Sequence, residues 1–146
     1  MTTTKVLAAI RTWIENADAT DFDLIINLNI YLPGEDDLRD YPCIDITDTG
    51  ADVHDILRNV FDPLSVEIVL QTIPNDDTLD GTTEAEHQAI VDQLYCLLGD
   101  INGINELAAT TGLTVFDIWN GSVSNGREDG KNTTTFSQDI TCCLDN

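Results

Sequence analysis

Positive charge is what this sequence has least of. Its 146 residues hold six Lys and Arg against 27 Asp and Glu, a formal net charge of −21. The six are Lys5, Arg11, Arg39, Arg58, Arg127 and Lys131, and they do not cluster. Between Arg58 and Arg127 there is no cation, while eleven acids fall in that interval. Neutralising phosphates takes Lys and Arg, so ordinary electrostatic binding of DNA or RNA is excluded. Docking on an anionic lipid surface is excluded for the same reason. Long apolar runs are missing too, and none approaches the roughly 18 residues of a membrane span. The opening Met1-Thr2-Thr3-Thr4-Lys5 lacks the basic region and apolar stretch of a signal peptide, which predicts a chain made in a cytoplasm.

Reactive side chains are equally sparse. The four cysteines, Cys43, Cys96, Cys142 and Cys143, form no Cys-x-x-Cys pair. Neighbours along a strand point to opposite faces, so Cys142 and Cys143 cannot share one core, and free thiols are expected. With only His54 and His87, no Cys-His, Ser-His-Asp or zinc-ligating His pair can be built locally. His87 reads as a half-buried residue on a helix face and His54 as a loop residue. The glycines at Gly34, Gly121, Gly126 and Gly130 lack the spacing and the Lys of a phosphate loop. Asp76, Thr78, Asp80 and Gly81 match the first, third, fifth and sixth positions of a calcium-binding EF-hand loop, but His87 stands where the bidentate Glu is needed. The adjacent acids Asp36/Asp37 and Asp76/Asp77 read as solvated loop residues. No catalytic residue, metal or cofactor is therefore expected, and the chain is read as a non-enzyme.

What is present is a patterned, single-domain chain. A length of 146 residues suits one core. Residues 3–17 carry Val6, Leu7, Ile10, Trp13 and Ile14 at helical spacing, with threonines available as the N-cap. Residues 22–32 alternate Leu24, Ile26, Leu28, Ile30 and Leu32 in strand fashion. Pro33 to Asp40 is an acidic loop, and Pro42 opens a short strand over Cys43–Thr47. Residues 48–62 read as a loop with a helical turn near His54–Asn59. Leu64–Ile73 is a third strand, alternating Leu64, Val66, Ile68 and Leu70 with polar or smaller neighbours.

The segment Thr83-Glu84-Ala85-Glu86 has the form of a capping box. The helix it starts places His87, Ile90, Val91, Leu94, Leu97 and Leu98 on one face and stops at Gly99. A weaker helical turn is expected over Asn105–Thr110. Leu113–Trp119 and Thr133–Cys143 are the last two strands, joined by a long polar loop from Asn120 to Asn132. The order α-β-β-β-α-β-β predicts an α+β fold: a mostly antiparallel sheet of about five strands with two main helices packed on one face.

In this order of elements the chain resembles the tail-terminator (tail-completion) proteins of long-tailed bacteriophages. The resemblance rests on an N-terminal helix, the proline-led strand Tyr41-Pro42-Cys43-Ile44-Asp45-Ile46, the strand Val66–Thr72, and the turn Asp76-Asp77. It continues with the helix carrying His87 in its first turn, the hairpin with Gly130 near its tip, and the closing strand Thr135–Cys143. It implies a structural virion subunit that forms a homohexameric ring, caps the tail tube, and meets the neck or head-tail connector proteins. DNA would pass through as cargo without being a bound ligand, and no membrane would be involved. Such a protein is made in the host bacterial cytoplasm and ends in the tail or neck of the virion. Another neck or connector subunit, or an acidic inhibitor that imitates DNA, are the alternative readings.

The charge itself fits either solubility or a surface that repels or imitates a polyanion. The expected interface residues lie in the two long polar loops: Glu35, Asp36, Asp37 and Arg39 in the first, and Asn125, Arg127, Glu128 and Asp129 in the second. Deleting Ser122–Asp129 is expected to impair assembly more than folding.

Overall fold

The first helix, α1 (Thr2–Glu15), forms where the apolar stripe was read, and Val6, Leu7, Ile10, Trp13 and Ile14 are all buried. The computed structural model describes residues 2–26, 28–35, 38–48, 63–75, 81–99 and 115–142. The helical turns expected near His54 and near Asn105 lie outside these residues, as do Asp36, Asp37 and the stretch 76–80.

After α1 the chain does not enter a long strand. Residues 18–26 satisfy their backbone groups locally: Asp18 accepts from Thr20 N through its side chain at 2.8 Å and from Phe22 N through its carbonyl at 2.8 Å. Phe22 O in turn accepts from Ile25 N at 3.2 Å and Ile26 N at 3.4 Å. Gln93 of the second long helix fixes this turn, accepting from Leu24 N at 2.9 Å and donating to Asp23 Oδ1 at 2.8 Å. Ile25 is the buried residue and Leu24 is 40% exposed, the reverse of the alternating pattern. Only β1 (Asn29–Tyr31) remains of the strand expected over 22–32. Local side-chain to backbone bonds from Asp18 compete with a ladder, and here they win.

Four further strands follow: β2 (Cys43–Asp48), β3 (Pro63–Thr72), β4 (Val115–Glu128) and β5 (Lys131–Cys142). Their order in the sheet is β1-β2-β3-β5-β4, with β1 parallel to β2 and every other pairing antiparallel. The fold is α+β, with the expected element order. Cross-strand rows such as Ile46–Ile68–Phe136 stack apolar side chains on one face of the sheet. Ile44, Ile46, Leu64, Val66, Ile68, Leu70, Phe136 and Ile140 from that face join the buried residues of both helices in one cluster.

The second helix, α2 (Glu84–Leu98), starts at the expected capping box: Glu86 N donates to Thr83 Oγ1 at 3.1 Å and Thr83 N to Glu86 Oε1 at 3.2 Å. All six residues read onto its inner face are buried. Gly99 ends the helix with φ −86°, a conformation open to any residue, so the stop does not require glycine there. Gly81 is different. A Cβ on it would fall about 2.5 Å from Asn75 N and Pro74 O, so only hydrogen fits between the two chain segments.

The largest departure is the last hairpin. Asn120–Asn132 is not a loop: β4 runs through Glu128, β5 starts at Lys131, and the connection is Asp129-Gly130 alone. Both turn residues have positive φ, 51° and 76°, as a two-residue hairpin turn of the primed type demands. Residues 121–130 are all exposed, so this part of β4 never needed the apolar alternation by which strands are recognised. Register shifts between Val115 and Asp117, and between Asn120 and Val123, each place one extra residue on β4. Deleting Ser122–Asp129 would therefore remove a paired strand, and it does not separate assembly from folding.

Candidate functional site

Among the described residues, a cluster of buried polar side chains that crosses several elements centres on His87. Helix α2 aims it into the core, where it is 8% exposed instead of half-buried. Thr134 on β5 donates from Oγ1 to Asn125 Oδ1 on β4 at 2.7 Å, so toward the imidazole the same oxygen can only accept. His87 Nε2, 2.8 Å from Thr134 Oγ1, therefore carries the ring proton. Nδ1 keeps its lone pair and accepts from Thr72 Oγ1 on β3 at 2.8 Å. The chain of donors has one direction, Thr72 to His87 to Thr134 to Asn125, and it ties three strands to the helix. Burial pushes the His87 pKa below its ordinary 6.5, which matches a neutral ring.

Asn125 opens this network to solvent. It lines a cleft of about 600 Å³ between α2 and the hairpin, together with Glu84, Gln88, Arg127, Asn132 and Thr133. Further along β4 a smaller cleft of about 300 Å³ is lined by Tyr95 and Leu98 of α2 and by Val123 and Phe136 of the hairpin. Tyr95 is 58% exposed and Val123 40%. The inner side of β4 from Gly121 to Arg127 is thus left largely uncovered over two clefts.

The residues expected at an interface divide between the two edges of the sheet. Asn125, Arg127, Glu128 and Asp129 lie on β4 and its turn, with Arg127 Nε donating to Asn132 Oδ1 at 3.3 Å. Glu35 has a local task, accepting from Arg11 Nη1 at 2.7 Å and from Leu32 N at 3.0 Å. Arg39 packs over the Tyr31 ring at 4.2 Å and pairs with Asp45 at 3.1 Å. Asp36 and Asp37 lie outside the described residues. Just after the first loop, the Tyr41 ring centroid lies 5.0 Å from Lys131 Nζ of the hairpin.

Cys43 is buried, and burial first, then the Asp45 carboxylate, pushes its thiol up to about 11. A thiol held so far from its thiolate is not a nucleophile at neutral pH. Cys96 is exposed and free. Among the described residues no three His, Cys, Asp or Glu side chains converge as metal ligands, and no helix is long and apolar enough to cross a membrane. Thr72 and Thr134, the partners of His87, were not singled out from the sequence, and Asn125 was expected only as an interface residue. A signal existed: Thr72 continues the inward phase of Leu64, Val66, Ile68 and Leu70, and Thr134 that of Phe136 and Ile140. Compared with known proteins, the chain matches no family model and no curated sequence.

Proposed function

We propose that this chain is a structural subunit that assembles with copies of itself, of the tail-terminator kind found in long-tailed bacteriophages. In that reading a ring, hexameric by resemblance, caps the tail tube, joins it to the head-side connector and lets DNA pass. The observation that carries the reading is the sheet order β1-β2-β3-β5-β4, with α1 ahead of it and α2 between β3 and β4. Among the described residues the sheet ends in two different edges, β1 and β4, and head-to-tail contacts between unlike surfaces are what closes a ring. The net charge of −21 fits a bore that repels passing DNA instead of holding it.

Light scattering on the purified chain, followed by negative-stain imaging, tests the proposal. Closed rings of one subunit number, which stop the growth of tail tubes when added to tube protein, are the expected result. A chain that stays monomeric and binds a basic DNA-binding protein refutes the ring and supports a polyanion mimic. Rings with a neutral or basic bore refute the role given to the charge.

A further inference from the structure

The charge on this chain is not evenly spread. The hairpin stretch 118–138 contains two cations, Arg127 and Lys131, and two acids, Glu128 and Asp129. The other 125 residues therefore carry the whole net charge of −21. Two copies repel each other wherever the acidic surface is presented, and least where the neutral hairpin is presented.

The same stretch bears an exposed edge. Among the described residues β4 is the outermost strand on its side of the sheet, and residues 121–130 are all exposed. Glu128 and Lys131 close the two-residue turn, and such a closing pair exchanges both backbone hydrogen bonds. Bonded pairs then alternate along the ladder through Gly126↔Thr133 and Ser124↔Thr135. The peptide groups of Asn125 and Val123, opposite Thr134 and Phe136, turn away from β5. Edge strands are ordinarily protected by charged side chains or proline. Ser122–Gly126 contains neither. The register shift between Asn120 and Val123 confines the regular run to Val123–Glu128.

We propose that the outer edge of β4, centred on Val123 and Asn125, pairs with a second copy of this chain by strand addition. The occupant follows from the charge distribution. A basic partner is drawn to the acidic remainder of the molecule, whereas an equally acidic copy can approach only at the neutral strip. The inference rests on the self-assembling reading above and names one of the two surfaces that a head-to-tail contact uses. It also fixes the sign of the salt effect. Because repulsion between the acidic remainders opposes pairing, added salt strengthens the association as the screening length falls from about 10 Å at 0.1 M to about 3 Å at 1 M.

The test is the solution mass of the wild-type chain and of Val123→Pro, Val123→Lys and Ser124→Pro, measured by light scattering at rising protein and salt concentrations. Val123→Pro removes an outward N–H, and Val123→Lys places a charge on the edge. Both are expected to leave the melting curve in place and to return the multimer to the 16.0 kDa chain. Ser124→Pro removes an N–H bonded to Thr135 and is expected to lower the melting temperature, which verifies the strand phase. A wild-type chain that stays monomeric at high salt overturns the inference. So does a multimer that both Val123 variants leave intact, although the ring would then survive on another surface. A multimer that the Val123 variants abolish, but whose mass is that of a dimer, upholds the β4 edge and refutes the ring.

Discussion

Replacing His87 by leucine removes the ring at the centre of the Thr72–His87–Thr134–Asn125 chain while filling most of its volume. Two hydrogen bonds of 2.8 Å are lost. Thr134 keeps Asn125 as acceptor, but the Thr72 hydroxyl, fully buried, is left as a donor without its acceptor. Two neutral bonds at about 1 kcal/mol each, with one orphaned buried donor at about 1–3 kcal/mol, give a destabilisation of about 3–5 kcal/mol at pH 8. Adding Thr72→Val removes the orphan, so the double variant is expected to recover about 1 kcal/mol relative to simple additivity.

The pH dependence has a definite sign. The folded-state pKa of His87 is below 6.5, so between the folded and unfolded values only the unfolded chain binds the extra proton. Stability then rises with pH across that window and is lost as pH falls below 6.5, by at most about 1.4 kcal/mol per pH unit. The ring's two hydrogen bonds go to hydroxyls, and the charged residues lining the adjacent cleft are Glu84 of α2 and Arg127 of β4. Urea unfolding of wild type and His87→Leu, from about pH 7.5 to 5.5, avoids most carboxylate titration near pH 4. The wild-type advantage is expected to shrink on acidification. An advantage that is constant or grows as pH falls refutes the neutral-ring assignment, as does an NMR spectrum showing the proton on Nδ1.

Gly81→Ala is expected to destabilise the fold by several kcal/mol in the same urea assay, because its Cβ meets backbone atoms of Pro74 and Asn75 rather than a flexible side chain. Thr83→Ala removes the acceptor for Glu86 N and is expected to cost about 1 kcal/mol, read as a lower urea midpoint with an unchanged slope. Gly130→Val forces a β-branched residue to φ 76° and is expected to cost about 1–3 kcal/mol, with loss of the cross-strand nuclear Overhauser contacts between Arg127 and Asn132.

Elements whose signals are local were legible before the fold was known. The capping box at Thr83 and Glu86, and the six inward residues of α2, follow from interactions within one turn of helix, which the order of residues sets by itself. The strands β2 and β3 were legible because one face of each is buried and the apolar pattern records it. The 22–32 segment misled because an apolar alternation is also compatible with turns. What decided it was the local bonding of Asp18 together with Gln93, about seventy residues away, binding Leu24 and Asp23. The hairpin misled in the opposite way. Its Ser, Asn and Gly residues look like a loop, yet β5 supplies a ladder on one side, broken by the shift between Asn120 and Val123, and only Asp129-Gly130 announced the turn.

The same division applies to the candidate site. That His87 faces inward was written in the spacing of α2. That its two nitrogens meet Thr72 and Thr134 required β3 and β5 to be neighbours, a long-range pairing that no local rule specifies. The scarcity of cations was plain from the composition. Its concentration of neutrality on an exposed edge strand was not, because whether a residue lies at the edge of a sheet depends on strand order, which only the folded chain possesses.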